Sequence, residues 1–162
     1  YDPPSPTFDE LADKAYFLVQ TEKIEVLLID YLQLIRINRS KYECNYQDEI
    51  GAITRSLKIL ARELNIPIIS LWQLSTPFHE ESRFYGSISM YDDLPELTIC
   101  RQYADVVSIL HRPEYFRITE NEHGQLTLGK AQLIITKNHF ALTGNVKLNY
   151  NATCSKFLED KE

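Results

Sequence analysis

No apolar run in this chain approaches the roughly 18 residues that span a bilayer as a helix. Its opening lacks the basic, apolar and small-residue sections of a secretory signal. No membrane association is therefore expected, and a cytoplasmic location is. Positive charge is short as well: 17 Lys and Arg stand against 23 Asp and Glu, a net −6. That balance excludes the large basic face of a dedicated, sequence-independent nucleic-acid binder. It leaves room for binding through a few loops inside a larger ring or groove. Cysteine is scarce, and Cys44, Cys100 and Cys154 are odd in number, far apart and without CxxC spacing. They read as reduced thiols rather than a disulfide framework or metal site. Methionine is nearly absent: the chain opens on Tyr1 and holds only Met90, so a piece of a longer protein is expected. The triplet Asn151-Ala152-Thr153 matches a glycosylation sequon, which in a cytosolic chain reads as chance.

What is present is ordinary for a globular domain. Hydrophobic residues make up 44% and charged residues 25% of 162, enough for one domain with a sizeable core. Residues 1–6 (YDPPSP) are a proline-rich lead-in, unsuited to helix or paired strand. Thr7 and Glu10 then form a capping box. Leu11, Ala15 and Leu18 recur at helical spacing, which predicts a helix over 8–21. A strand is expected at 25–30 (EVLLID) and a polar loop at 36–47. Ile50, Ile53, Leu57, Leu60 and Leu64 then mark a strong helix over 47–64, which Pro67 forbids from continuing. IPIISLW follows as a second strand.

Residues 75–101 read as a long loop, with a turn of helix near 93–103. Strands are expected at 104–110, 130–136 and 145–150. A hairpin turn is expected at Glu120–Gly124, with Gly144 as a second turn residue and 151–162 as a tail. The early apolar runs lack alternation, as in parallel strands covered on both faces; the later ones alternate. The reading is a three-layer α/β domain over 1–162, with a parallel core sheet and an antiparallel C-terminal edge.

Two polar residues stand where ligand chemistry collects, at the carboxyl ends of parallel strands. Asp30 ends VLLID, and a carboxylate on a rigid strand can position a magnesium ion that bridges phosphate oxygens. Gln73 ends IISLWQ, and its amide both donates and accepts, which suits sensing a γ-phosphate or a polarised water. The bland alternatives are a strand-end cap for Asp30 and a solvated polar residue for Gln73. On these residues alone both stay open.

The segments LLIDYLQLI, EIGAITRSLKILARELNIPIISLWQL, ADVVSILHRPEYF and AQLIITKN…LTGNVKLNY together resemble the bacterial and phage replicative DNA helicases of the DnaB type. Their order and spacing agree over nearly the whole chain. The resemblance implies a partial RecA-like P-loop NTPase domain, belonging to a homo-hexameric ring around single-stranded DNA. It implies ATP and Mg2+ as cofactors, hydrolysis between neighbouring subunits, and 5′ to 3′ translocation in DNA replication, with the departures below pointing to a plasmid or phage rather than a chromosome. A primase or a helicase loader would be a partner. Asp30 would then be the Walker B aspartate that binds the metal, and Gln73 the γ-phosphate sensor.

Three departures from the family pattern matter. The phosphate-binding loop G-x-x-x-x-G-K-[ST] is not among these residues, so they alone should hold ATP poorly. The family's trans-acting finger reads K-x-R, and here it is Lys137-Asn138-His139, with His139 in place of arginine. A neutral imidazole lacks the bidentate grip of guanidinium on phosphate. The DNA-facing stretch D-L-R-E-S-G is here Asp93-Leu94-Pro95-Glu96-Leu97-Thr98, so proline replaces arginine. Glu96 and Thr98 remain DNA-binding candidates, and Arg36, Arg39, Lys41 and Arg83 are candidate sources of positive charge. Tyr42, Tyr46, Tyr85 and Tyr91 read as local packing rather than base-stacking platforms. The second functional reading is a non-catalytic RecA-like module kept for assembly or partner binding.

Overall fold

A computed structural model describes residues 3–37, 45–73, 95–121 and 124–160, apart from the side chains of 95–97. The chain divides into two compact units, Tyr1–Ser75 and Thr76–Glu162. Among the described residues, no helix is long and apolar enough to cross a membrane.

The first unit is built around two helices. Helix α1 spans Phe8–Glu22 and opens with the expected box. The Glu10 amide donates to Thr7 Oγ1, and the Glu10 carboxylate accepts from the Thr7 amide at 2.8 Å. Those bonds hold the Glu10 carboxyl below its ordinary range, the Thr7 backbone N–H foremost. Helix α2 spans Tyr46–Leu64 and ends on Asn65 in the left-handed conformation, which asparagine tolerates better than most residues. Tyr46 is thus the first helical residue and is exposed; Tyr42, Tyr85 and Tyr91 lie outside the described residues.

The predicted periodicity of α2 is its buried face: Ile50, Ile53, Leu57, Leu60 and Leu64 are all buried. Ala15, Leu60 and Leu64 form a core against which Phe8, Tyr16, Leu27, Ile66 and Ile68 pack. Truncation of Leu60 to Ala should therefore destabilise the chain by about 2–5 kcal/mol. A urea titration would read this as a lower midpoint with unchanged slope. A loss under about 1 kcal/mol would mean that this cluster does not seat the helices on the strands.

Strand β1 (Leu27–Ile29) pairs parallel with β2 (Ile68–Ser70). Both are shorter than the apolar runs that encode them. One sequence expectation needs correction here. The strands are not covered on both faces: Leu27 and Ile68 pack on the helices, whereas Leu28 and Ile69 are exposed. Alternation fails as a signal because both faces are written in apolar residues. As expected, residues 3–6 of the proline-rich lead-in take no helix or strand, and the isolated bridge beside them is made by Thr7 with Arg36. The Arg36 amide donates to Pro6 O at 3.0 Å and the Phe8 amide to Arg36 O at 2.8 Å. The missing proline N–H is no obstacle, since Pro6 only accepts.

In the second unit, helix α3 (Pro95–Tyr103) leads into a four-stranded antiparallel sheet in sequence order. Its strands are β3 (Val106–His111), β4 (Lys130–Asn138), β5 (Gly144–Asn151) and β6 (Lys156–Glu159). Pro95 is the first helical residue, where a missing N–H costs nothing. β3 alternates: Val107, Ile109 and His111 are buried, and burial lowers the pKa of His111.

The connection from β3 to β4 is closed at its base by Arg112. Its guanidinium lies 3.5 Å from the Tyr150 ring centroid and meets the Glu114 carboxylate at 2.7 Å. The expected hairpin turn is present: the Gly124 amide donates to Asn121 O, and Gly124 sits at φ 71°. Gly144, by contrast, is no turn residue. It is the first residue of β5, paired with Ile135. The supposed tail contains β6, reached through a turn in which Ser155 is left-handed. Its four residues are all exposed, so no hydrophobic pattern announced it.

Candidate functional site

The parallel pairing of β1 and β2 brings Asp30 and Gln73 to neighbouring strand ends. Ile29 and Ser70 are register partners, and Asp30 follows Ile29 directly. The backbones stay tied beyond the strands. The Leu71 amide donates to Ile29 O, and the Leu32 amide to Leu71 O, both at 2.9 Å. The chain then turns through a short 3-10 segment, Leu32–Leu34, whose Leu32 is buried. The Asp30–Tyr31 peptide is cis. Asp30 itself is exposed, as is Gln73.

One residue at this corner was not singled out in the sequence. The Gln33 amide Nε2 donates to Gln73 O at 2.6 Å, and the Gln73 amide points back to Gln33 Oε1 at 3.4 Å. A carboxamide presents one donor and one acceptor in the geometry of a peptide. Gln33 thus acts as one more rung of the parallel pair, joining the turn after Asp30 to the end of β2. The only signal for it is a lone polar residue in the apolar run YLQLI.

The chemistry open to this corner follows from its make-up. Asp30 offers one carboxylate, anchored by a strand whose preceding residue is buried. Among the described residues, no group of three or more His, Cys, Asp or Glu gathers. A carboxylate of this kind could hold a hard cation such as Mg2+, which takes oxygen ligands. Gln73, three residues past the end of β2, adds an exposed polar amide on that neighbouring strand's side.

Of the basic candidates, Arg36 is exposed, and its backbone is pinned on both sides by the lead-in. Arg39, Lys41 and Arg83 lie outside the described residues. In the second unit, Glu96 belongs to the first turn of α3 and Thr98 is exposed on the same helix. Lys137 and His139 stand at the end of β4. The Lys137 ammonium donates to Arg101 O at 2.6 Å and to Ala104 O at 2.7 Å. It is therefore no free surface lysine. The His139 amide donates to Asp105 O at 2.8 Å, while its ring is exposed and lies 5.6 Å from the Phe140 ring. Asn138 holds the turn that follows, accepting from the Phe140 amide at 3.1 Å. Phe140 and Leu142 project into solvent there, 77% and 90% exposed.

Comparison with known proteins gives one consistent picture. Residues 1–159 match the family model of the DnaB-like helicase C-terminal domain. The chain is 33% identical over 158 residues to the replicative DNA helicase DnaB of Mycoplasma genitalium, covering 98% of this chain and 33% of that protein. It is 35% identical over 161 residues to a probable plasmid replicative DNA helicase of Chlamydia psittaci, covering 99% of this chain and 33% of that protein. It thus spans about a third of the length of these relatives. Among solved structures, a DnaB-like replicative helicase described with its primase interactions superposes at TM-score 0.74. That match has 24% identity and covers 99% of this chain and 37% of that one. The mixed α/β architecture, with its parallel pair and antiparallel sheet, is the fold of the RecA-like ATPase domain in such helicases.

Proposed function

Because this chain belongs to the DnaB-like helicase C-terminal domain family, we propose that it is the nucleotide-hydrolysing part of an ATP-dependent replicative DNA helicase. The observation that carries this reading is the corner of the parallel pair, where Asp30 and Gln73 leave adjacent strand ends tied together by Gln33.

In this reading Asp30 would hold Mg2+, which when bound would supply charge neutralisation for phosphoryl transfer. Gln73 lies where an amide can follow the presence or loss of the γ-phosphate. Gln33 keeps its backbone in register with the metal-bearing turn, so a shift at either residue is passed to the other. Six copies form a ring around single-stranded DNA. The end of β4, with Lys137 and His139, faces the nucleotide of the neighbouring subunit. Arg36, Arg39 and Arg83, with Glu96 and Thr98, are the candidates for contact with the DNA strand, which the ring follows 5′ to 3′. The phosphate-binding loop is supplied by the longer parent chain. A primase is the partner expected on the assembled ring.

The parent chain, extended upstream through its phosphate-binding loop, should hydrolyse ATP faster with a single-stranded oligonucleotide than without it. A parent chain that assembles and binds partners but shows no hydrolysis would replace this reading with the non-catalytic module.

A further inference from the structure

We propose that Lys137 is a positioning residue that couples the DNA-facing segment to the trans-acting strand, by fastening the carboxyl end of α3 to β4. The inference rests on the functional reading above for what those two segments do. Its structural basis is independent of that reading.

The last carbonyls of an α-helix have no partner within the helix and carry the negative end of its dipole. α3 ends at Tyr103, and only Ala104 and Asp105 separate it from β3. Lys137 reaches this corner from β4 and bonds carbonyls on both sides of the helix end, Arg101 O and Ala104 O. An ammonium has three donors, and two are committed here.

A local irregularity of the sheet accompanies this contact. Val107 pairs with Lys137 but Ser108 pairs with Ile135, so β4 carries one extra residue, Thr136. Such a bulge re-aims the side chains beside it. The Thr136 hydroxyl, donating to Val107 O at 3.3 Å, and the His139 amide, donating to Asp105 O at 2.8 Å, flank the lysine. The backbone that carries His139 is therefore bonded to the residues just past α3. The other end of that same helix begins at Pro95, within the DNA-facing stretch 93–98.

The consequence is a mechanical link with two ends. A pull of DNA on the first turn of α3 is carried along a nine-residue helix to Lys137. A neighbouring phosphate that draws on the same ammonium competes with the carbonyls of α3. Each event then alters the free energy of the other, and the coupling is reciprocal.

The test uses the full parent chain carrying Lys137→Met, which keeps the apolar stem and removes the ammonium. Lys147→Met, an exposed residue of β5, serves as the charge-matched control. In hydrogen exchange without nucleotide or DNA, the amides of 101–105 should exchange about tenfold faster in Lys137→Met, the scale of one lost charge-assisted bond. The amides of 131–134 should be unchanged, which shows that the sheet is intact. The ratio of ATPase rate with a dT oligonucleotide to that without should collapse to nearly one, whatever happens to the basal rate. The control should keep both wild-type values.

Unchanged exchange at 101–105 would overturn the fastening. Faster exchange with a preserved stimulation ratio would overturn the coupling and leave Lys137 a structural cap. A wild-type chain without any ATPase would overturn the functional reading, and the coupling with it; the exchange result would still decide the fastening.

Discussion

Asp30→Ala in the extended parent chain should lower kcat for ATP on the order of a hundredfold or more, the scale seen when one preorganised charge-stabilising group is removed. The reason is that Asp30 brings a charged oxygen donor to the end of β1. Its loss would remove the residue proposed to hold the metal in the geometry that the reaction needs. Because Asp30 is exposed, the truncation creates no cavity, and the unfolding midpoint should stay within about 0.5 kcal/mol of wild type. Asp30→Asn separates charge from shape: the amide fills the same space but binds Mg2+ weakly, so it should resemble the alanine form. Raising Mg2+ should restore part of the lost rate if the defect lies in holding the metal. Equal turnover by Asp30→Ala and wild type would mean that the aspartate merely caps the strand, and the assignment of this corner would fall.

His139→Arg should move activity in the opposite direction. An arginine supplied across a subunit boundary is worth roughly 10³–10⁵ in rate in other nucleotide hydrolases. A gain of at least about tenfold in DNA-stimulated turnover is expected here, a small part of that range. The fold is prepared for the exchange. The His139 ring is exposed, so a longer side chain meets no core. The His139 backbone is fixed by its bond to Asp105 O, and Asn138 holds the turn beyond it. Guanidinium stays charged at every accessible pH and grips phosphate with two parallel bonds, which neutral imidazole does not do. The rate should be read at several subunit concentrations. A finger acting in trans helps only in the assembled ring, so the gain should vanish where the ring dissociates. No gain in the assembled ring would mean that His139 does not face the neighbouring nucleotide.

The two assignments differ in how far they could be read before the fold was known. VLLID and IISLWQ each announce an apolar strand ending on a polar residue, and the helix between them makes a parallel pairing the natural outcome. The adjacency of Asp30 and Gln73 was thus an inference from order and spacing, and the register of β1 and β2 agrees with it. Lys137 was different. The family resemblance gave it a role toward another subunit, and no local pattern announced that its ammonium bonds the end of α3.

The sequence by itself determined the local structure and the strand-end positions of Asp30 and Gln73. The capping box of Thr7 and Glu10, the buried stripe of α2, the stop at Asn65 and Pro67, and the strand-end positions of Asp30 and Gln73 all follow from interactions within a few residues. Periodicity and capping record such interactions directly. Tertiary structure alone decided the rest. Gln33 meets Gln73 across 40 residues and Lys137 meets Arg101 across 36, separations at which no local pattern constrains the pair. The exposed strand β6 and the open face at Leu28 and Ile69 belong with them. Pairing and burial depend on which surfaces the folded chain brings together, and an apolar residue has the same letter whether its face is covered or not.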